Sequence, residues 1–418
     1  MVPIGSVLRL RKERVDKAKF KFSDLQPITI HFDGSVDKRV VDVNREYSMD
    51  LWFARPGDIV VAKIDLKNGA VGIVPDDWND VVVTGHFAVY EPDMARLLPE
   101  YFHLIVQAKF FRAHLWRNKV GAEGRKEVKL DFFEMEHVPL PPLAEQNAIV
   151  ARWRKARDEI ADALNRIDRS KTAIEARFLS DVGLRSIQQI PTSKAFAVWW
   201  DDVDRWGVQM IGISTLGRHK SLFPEIQLSD LCSIGSGGTP SRQNKKYFGG
   251  AIPWVKTTEV RNEAIATTEE TLTEDGLKNS SAKIYPKGSL IVAMYGQGAT
   301  RGRTAKLGID AATNQACAVL SGFAPQIEPD FLWYFLISQY DNIRALASGN
   351  NQPNLNAKMI ANLRIPVPPR TIQQQVIKRV AAGRAEIARE REAVENLTKS
   401  IQAEIEALIL GTKSVKDA

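Results

Sequence analysis

The sequence predicts an α+β protein laid out as globule, long helix, globule, long helix. Three observations carry that expectation. A proline-stiffened hinge occurs twice, as PLPPLAEQNAIV from Pro139 and as PVPPRTIQQQVI from Pro366. Each hinge opens a stripe of large apolar residues that steps by seven. Upstream of each hinge, short apolar strand patterns and an aromatic amphipathic segment recur in the same order. A pattern that returns at a fixed place in two halves signals an internal structural repeat.

The elements follow in order. IGSVLRL (Ile4–Leu10) parallels LSDLCSI (Leu228–Ile234). RPGDIVVAKI (Arg55–Ile64) parallels PKGSLIVAMY (Pro286–Tyr295), each a turn followed by an apolar strand. PEYFHLIVQAKFFRAHL and PDFLWYFLISQYDNIRAL read as aromatic amphipathic helices that begin at a proline. A polar, glycine-bearing stretch then precedes each hinge, RNKVGAEGRKEVK or SGNNQPNLN. The expected boundaries are a first globule at 1–140, a helix at 141–183 and a link at 184–224. A second globule at 225–367, a second helix at 368–412 and a tail at 413–418 complete the chain. The link carries WWDDVDRW, to which the sequence assigns no role.

The stripes are Trp153, Ile160, Ile167 and Ile174 in the first helix, and Val380, Ile387, Val394, Ile401 and Leu408 in the second. A seven-residue stride is the coiled-coil signature. A single amphipathic helix of this length is poorly stable alone in water. The helices are therefore expected to pair with each other, the alternative being that each packs on its own globule.

Bulk properties bound the function. A hydrophobic content of 44% with 26% charged residues is that of a globular protein. The net charge of +7 permits a polyanionic partner. Two cysteines, Cys232 and Cys317, form neither a zinc site nor a disulfide framework. The N-terminus lacks the apolar core of a signal peptide, and no run is long enough to span a membrane. A cytoplasmic protein with no membrane partner is the expectation.

This order of features resembles the DNA-specificity subunit of type I restriction–modification systems. The resemblance rests on the twin hinges, on GSGGTPSRQNKKYFGGAIPWV (Gly235–Val255) and on SGNNQPNLN (Ser348–Asn356), and it covers nearly the whole chain. The chain departs from the pattern at Ile372, where the first hinge has Glu145, and in a first half without a GGTP segment. The resemblance implies two target-recognition domains, each reading one block of a split double-stranded DNA target. It implies two long helices paired antiparallel as a coiled-coil spacer, with a pseudo-twofold internal repeat. It implies a non-catalytic subunit that binds two methyltransferase subunits and, in the full complex, translocase–nuclease subunits. No cofactor is then expected in this chain; S-adenosylmethionine, ATP and Mg belong to the partners.

Base edges are read mainly by Arg, Lys, Asn and Gln, and phosphates by Lys and Arg. In SRQNKKY, Arg242, Lys245 and Lys246 are placed against phosphate, with Gln243 or Asn244 reaching a base beside Tyr247. The glycine-rich YGQGATRGRT offers Gln297, Arg301 and Arg303; it lacks the spacing of a dinucleotide turn or a P-loop. SGNNQPNLN offers Asn350, Asn351, Gln352 and Asn354, although asparagines also cap helices. In the first half the candidates are Lys63, Lys67, Arg117, Lys119, Arg125 and Lys126, with a basic start at Arg9, Arg11, Lys12 and Arg14. Each also fits a solvated surface charge. Gln146 and Gln373, in the first turns of the long helices, are candidates for contact with the methyltransferase subunits or for helix capping.

Two other classes fit the residues less well. A DNA methyltransferase needs an Asn/Asp-Pro-Pro-aromatic site, and the Pro-Pro pairs here sit in LPPL and VPPR. Six scattered histidines suggest no metal cluster. A coiled-coil scaffold accounts for the stripes and leaves the cation- and amide-rich loops without purpose.

Overall fold

Runs such as IVVA (59–62) and LIVA (290–293) are too short and too uniformly apolar for surface helices, and both form strands buried along their whole length. The computed structural model describes residues 1–40, 49–118, 128–184, 221–296, 299–347 and 354–415. Most of the 184–224 link, WWDDVDRW included, lies outside them. The chain divides into two units, Met1–Asn165 with Glu390–Ala418, and Arg166–Arg389.

In the first unit the strands are β1 (Val2–Pro3), β2 (Leu8–Arg11), β3 (Gln26–Ile30), β4 (Val36–Lys38), β5 (Leu51–Ala54), β6 (Ile59–Ala62), β7 (Val71–Ile73), β8 (Val81–Thr84), β9 (Phe87–Pro92) and β10 (His137–Val138). One sheet runs β2-β9-β6-β7 and is antiparallel; the other runs β4-β3-β8-β5, with β3 and β8 parallel. The β1–β10 pair ties the chain start to the first hinge.

The second unit holds β11 (Glu225–Gln227), β12 (Ser233–Ser236), β13 (Phe248–Val255), β14 (Ala264–Ile265), β15 (Glu270–Leu272), β16 (Ile284–Tyr285), β17 (Leu290–Ala293), β18 (Thr304–Leu307), β19 (Ala311–Thr313), β20 (Cys317–Ser321) and β21 (Arg364–Pro366). Its sheets are β12-β20-β17-β18-β14 and β15-β13-β19-β16, with β13 and β19 parallel. β11 pairs with β21 just before the second hinge. Strand for strand this is the first unit's topology, with β14 added at one edge. The repeat read loosely from sequence is therefore a repeat of the whole two-sheet fold, including the half that has no GGTP segment.

Each proline-led helix, Pro99–Gln107 and Pro329–Ser338, buries its aromatic face in its unit's core. Proline suits that first position because its missing N–H has no intrahelical partner to lose. The long helices span Leu143–Asp181 (39 residues) and Arg370–Ile409 (40 residues). Among the described residues no helix is long and apolar enough to cross a membrane.

The boundaries between units fall inside the long helices, not at the hinges. The reason is continuity of burial. In the first unit Trp153, Ile160, Ile401 and Leu408 pack into the same core as Tyr101 and Phe102. In the second, Ile174 and Val380 join the core of Phe331 and Leu336. Ile167 and Ile387 are buried and Val394 half-buried. The helices thus pair with each other and pack on the globules as well. Within the second unit Asp181 pairs with Arg379, while Gly383 faces Ile174; the partner number falls as the first rises, so the helices run antiparallel. Within the first unit Arg152 meets Glu404 at 2.7 Å.

Candidate nucleic-acid interface

Strand register brings the second unit's candidate loops to one end of its five-stranded sheet. Ser236 pairs with Ala318, Ala318 with Val292, and Val292 with Thr304, giving one row across four strands. Beyond that row lie the segment after β12, the loop from β17 to β18, and the start of β20. Leu355 N–H donates to Met294 O (3.1 Å), bringing the Asn354–Asn356 segment to the same edge. The sheet therefore collects SRQNKKY, the described part of YGQGATRGRT and the end of SGNNQPNLN.

The individual side chains divide sharply. Gln243, Lys245 and Lys246 are exposed and pair with no described residue. Asn244 is turned inward, its side chain accepting from Lys246 N–H (3.2 Å) as the cap of a short 3-10 turn that ends at Tyr247. Arg242 is held. Its guanidinium lies 4.6 Å over the Phe248 ring and 5.0 Å over the Trp254 ring, and donates to Glu270 at 2.5 and 3.4 Å. Glu270 also accepts from Lys256 (3.0 Å), which pairs with Glu269 at 2.8 Å. The Arg242 hydrogen bond, ahead of that from Lys256, holds the Glu270 carboxyl below the usual range. Arg303 and Arg301 are half-buried, and Asn354 is exposed. Asn356 caps the Ala357–Ala361 helix by accepting from Met359 N–H (2.9 Å). Gln297, Asn350, Asn351 and Gln352 lie outside the described residues.

The GSGGTP glycines serve packing, not flexibility. A Cβ on Gly237 would overlap Thr313 O, and one on Gly238 would overlap Ser281 and Ala282. The Gly238 carbonyl accepts from the buried Trp254 indole (3.0 Å). Nothing local marks this close approach, since Thr313 and Trp254 arrive from other strands.

In the first unit the basic start is largely spent on internal pairs. Arg9 meets Glu91, Arg14 meets Asp50 at 2.5 Å, and Arg11 meets the buried Asp58 at 2.7 Å. Lys63 donates to Gly85 O (2.7 Å) and Lys67 to Ile64 O (2.5 Å), both from the β6–β7 connection. That connection is the counterpart of the β17–β18 loop. Lys12 is exposed, as is Arg117 at the end of the Lys109–Arg117 helix. Lys119, Arg125 and Lys126 lie outside the described residues.

The hinge glutamines require a correction. Direct contact of Gln146 and Gln373 with a partner is excluded by burial, since both are 0% exposed. Gln146 accepts from Leu98 N–H (2.9 Å) and donates to Arg96 O (2.7 Å) and Pro141 O (2.8 Å). Gln373 accepts from Glu328 N–H (2.8 Å) and donates to Gln326 O (2.8 Å) and Pro368 O (2.7 Å). The receiving groups match position for position. Each glutamine thus latches a long helix onto the segment that leads into its unit's proline-led helix. It satisfies backbone groups that burial would otherwise leave orphaned.

A two-sheet fold built twice, each copy latched to a long helix, defines a class: a protein that repeats one domain, each repeat with its own long helix. Comparison with known proteins particularises it. Residues 221–396 match the family described as type I restriction modification DNA specificity domain. The HindI type I restriction enzyme specificity subunit of Haemophilus influenzae is 25% identical over 76% of this chain and 78% of its own length. The EcoAI specificity subunit of Escherichia coli is 31% identical over 33% of this chain and 24% of its own. A chain solved in work on complex assembly and conformational transition of the type I R-M system shares the fold, with a TM-score of 0.63 at 16% identity over 98% of this chain and 96% of that one. The chain thus resembles type I restriction enzyme specificity subunits over most of its length, and residues 221–396 match the DNA-specificity domain.

Proposed function

We propose that this chain is the DNA-reading subunit of a type I restriction–modification complex, with each unit recognising one block of a bipartite target. The observation that carries the reading is the duplication itself. One recognition fold is built twice and each copy is latched by the same three-bond glutamine to a long helix. A split target needs two readers at a fixed separation, and paired helices supply it. Two methyltransferase subunits, bringing S-adenosylmethionine, and translocase–nuclease subunits, bringing ATP and Mg, are the partners this reading requires; catalysis resides in them.

The test is a methylome. The chain is expressed with its cognate adenine methyltransferase subunit in a host free of other DNA methylation. A bipartite adenine-methylated motif that needs both proteins is the expected result. Full association without any motif would overturn the reading, and failure to associate would favour a coiled-coil adaptor.

A further inference from the structure

The loop after β12 separates two kinds of cation. Lys245 and Lys246 are exposed and unpaired among the described residues, so they carry uncompensated charge. Arg242 belongs to a cluster with Lys256, Glu269 and Glu270, two cations against two carboxylates, whose charges cancel. A locally neutral cluster gains little from an approaching phosphate, whereas the two lysines gain fully.

What Arg242 retains is direction. The guanidinium plane is set by Phe248 and Trp254, and its fork by Glu270. The shelf beneath is anchored, because Trp254 is 1% exposed and its indole is hydrogen-bonded to Gly238 O. Of the five N–H donors of an arginine, two go to Glu270, and the side chain is still 53% exposed. Holding an exposed arginine in two directions loses rotamer freedom before binding instead of during it. A phosphate, approachable from many angles, has little use for that; a base edge, with its acceptors in one plane, does.

We infer that Arg242 reads a base edge in the half-site bound by the second unit, with Glu270 as the residue that positions it and Lys245 and Lys246 as the phosphate contacts. This reverses the sequence-based assignment of Arg242 to phosphate, and it rests on the DNA-reading function above.

The experiment is the methylome of three variants beside the wild type. R242K keeps the charge and loses the planar fork. It is expected to relax one base position in one half-site, raising methylation at non-consensus sites there about tenfold, with the other half-site and the gap unchanged. E270Q removes the buttressing charge without changing volume and is expected to relax that same position to a smaller extent. K245A/K246A is expected to lower methylation evenly across all sites with the motif intact. A wild-type motif preserved in R242K at full occupancy would overturn the assignment. Should R242K be inactive because the aromatic shelf is uncovered, an unchanged motif in E270Q overturns it instead. A wild type that directs no methylation sinks the DNA-reading function and this inference together.

Discussion

The two units share one strand plan, β14 apart, and hold equivalent corners by different chemistry. In the first, Asp58 after the β5–β6 turn is 2% exposed, accepts from Arg55 N–H (2.7 Å) and binds Arg11 of β2 at 2.7 and 3.1 Å. In the second the matching residues are Ser289 and Gly235. Ser289 Oγ is buried with no partner among the described residues. The space above Gly235 is taken by the Tyr285 hydroxyl, which donates to Ser236 O (2.9 Å). A second corner shows the same freedom. His103 and Trp333 hold the same place in the proline-led helices, and they bond the first residues of the matching strands β7 and β18, through Val71 O (3.3 Å) and Thr304 Oγ1 (3.2 Å). The tryptophan has moved across the contact. In the first unit it is Trp153 of the long helix, packed on His103; in the second it is Trp333, packed in the core with Val380. Arg157 and Arg384, at matching places in the long helices, stack on the tryptophan wherever it lies, at 4.7 and 5.3 Å. Volume and stacking are kept while identities change sides. The backbone plan follows from the apolar strand pattern, and the polar pins are interchangeable.

The comparison predicts equal effects where the units agree and unequal effects where they differ. The largest effect concerns the shared latch. Gln146→Ala and Gln373→Ala each leave one buried N–H and two carbonyls unpaired, at a cost of about 2–4 kcal/mol. Chemical denaturation followed by hydrogen exchange should show the loss in the first unit for one variant and in the second for the other. Silent substitutions would mean the latch is not what joins helix to globule.

Next comes the unlike corner. Asp58→Ala strips Arg11 of its buried partner and is expected to destabilise the first unit by about 2–3 kcal/mol, softened by the partial exposure of Arg11. Ser289→Ala removes a hydroxyl that bonds nothing described and is expected to be neutral or to stabilise by up to about 1 kcal/mol. Equal losses in the two variants would refute the account of the corner.

The smallest effect is acid sensitivity confined to one unit. Burial, the largest cause, lowers the His103 pKa from its ordinary value near 6.5. The unfolded chain therefore takes up the proton first. Stability is full above about pH 6.5 and falls as pH drops below it, by at most about 1.4 kcal/mol per pH unit. His103→Gln should flatten that slope in the first unit. Trp333 cannot titrate, so the second unit has no matching term at this position. An unchanged pH profile in His103→Gln would remove the histidine from the explanation.

Much of the plan was legible from the sequence. The twin hinges, the seven-residue stripes, the turn-then-strand pairs and the proline-led helices all depend on neighbours within a few residues, and each appears where it was expected, except that each proline-led segment breaks into two helices, at Ala108 and at Gln339. The roles of the side chains in the candidate loops were not legible. Arg11 looked like a surface cation and is bound to a carboxylate 47 residues away. Arg242 looked free, and Glu270 reaches it from 28 residues on. Gln146 and Gln373 looked like first-turn contacts, and their partners lie on segments that fold back from upstream.

The number of repeats, the order of elements, the stripe that pairs the helices and the types of residue available at the loops can all be read along the chain. These are properties of periodicity and composition, which act locally. Which charges are spent on internal pairs, which amides are buried and which cations stay exposed follow from tertiary contacts alone. Pairing between distant residues depends on strand register, and register emerges only when the two sheets close on their cores.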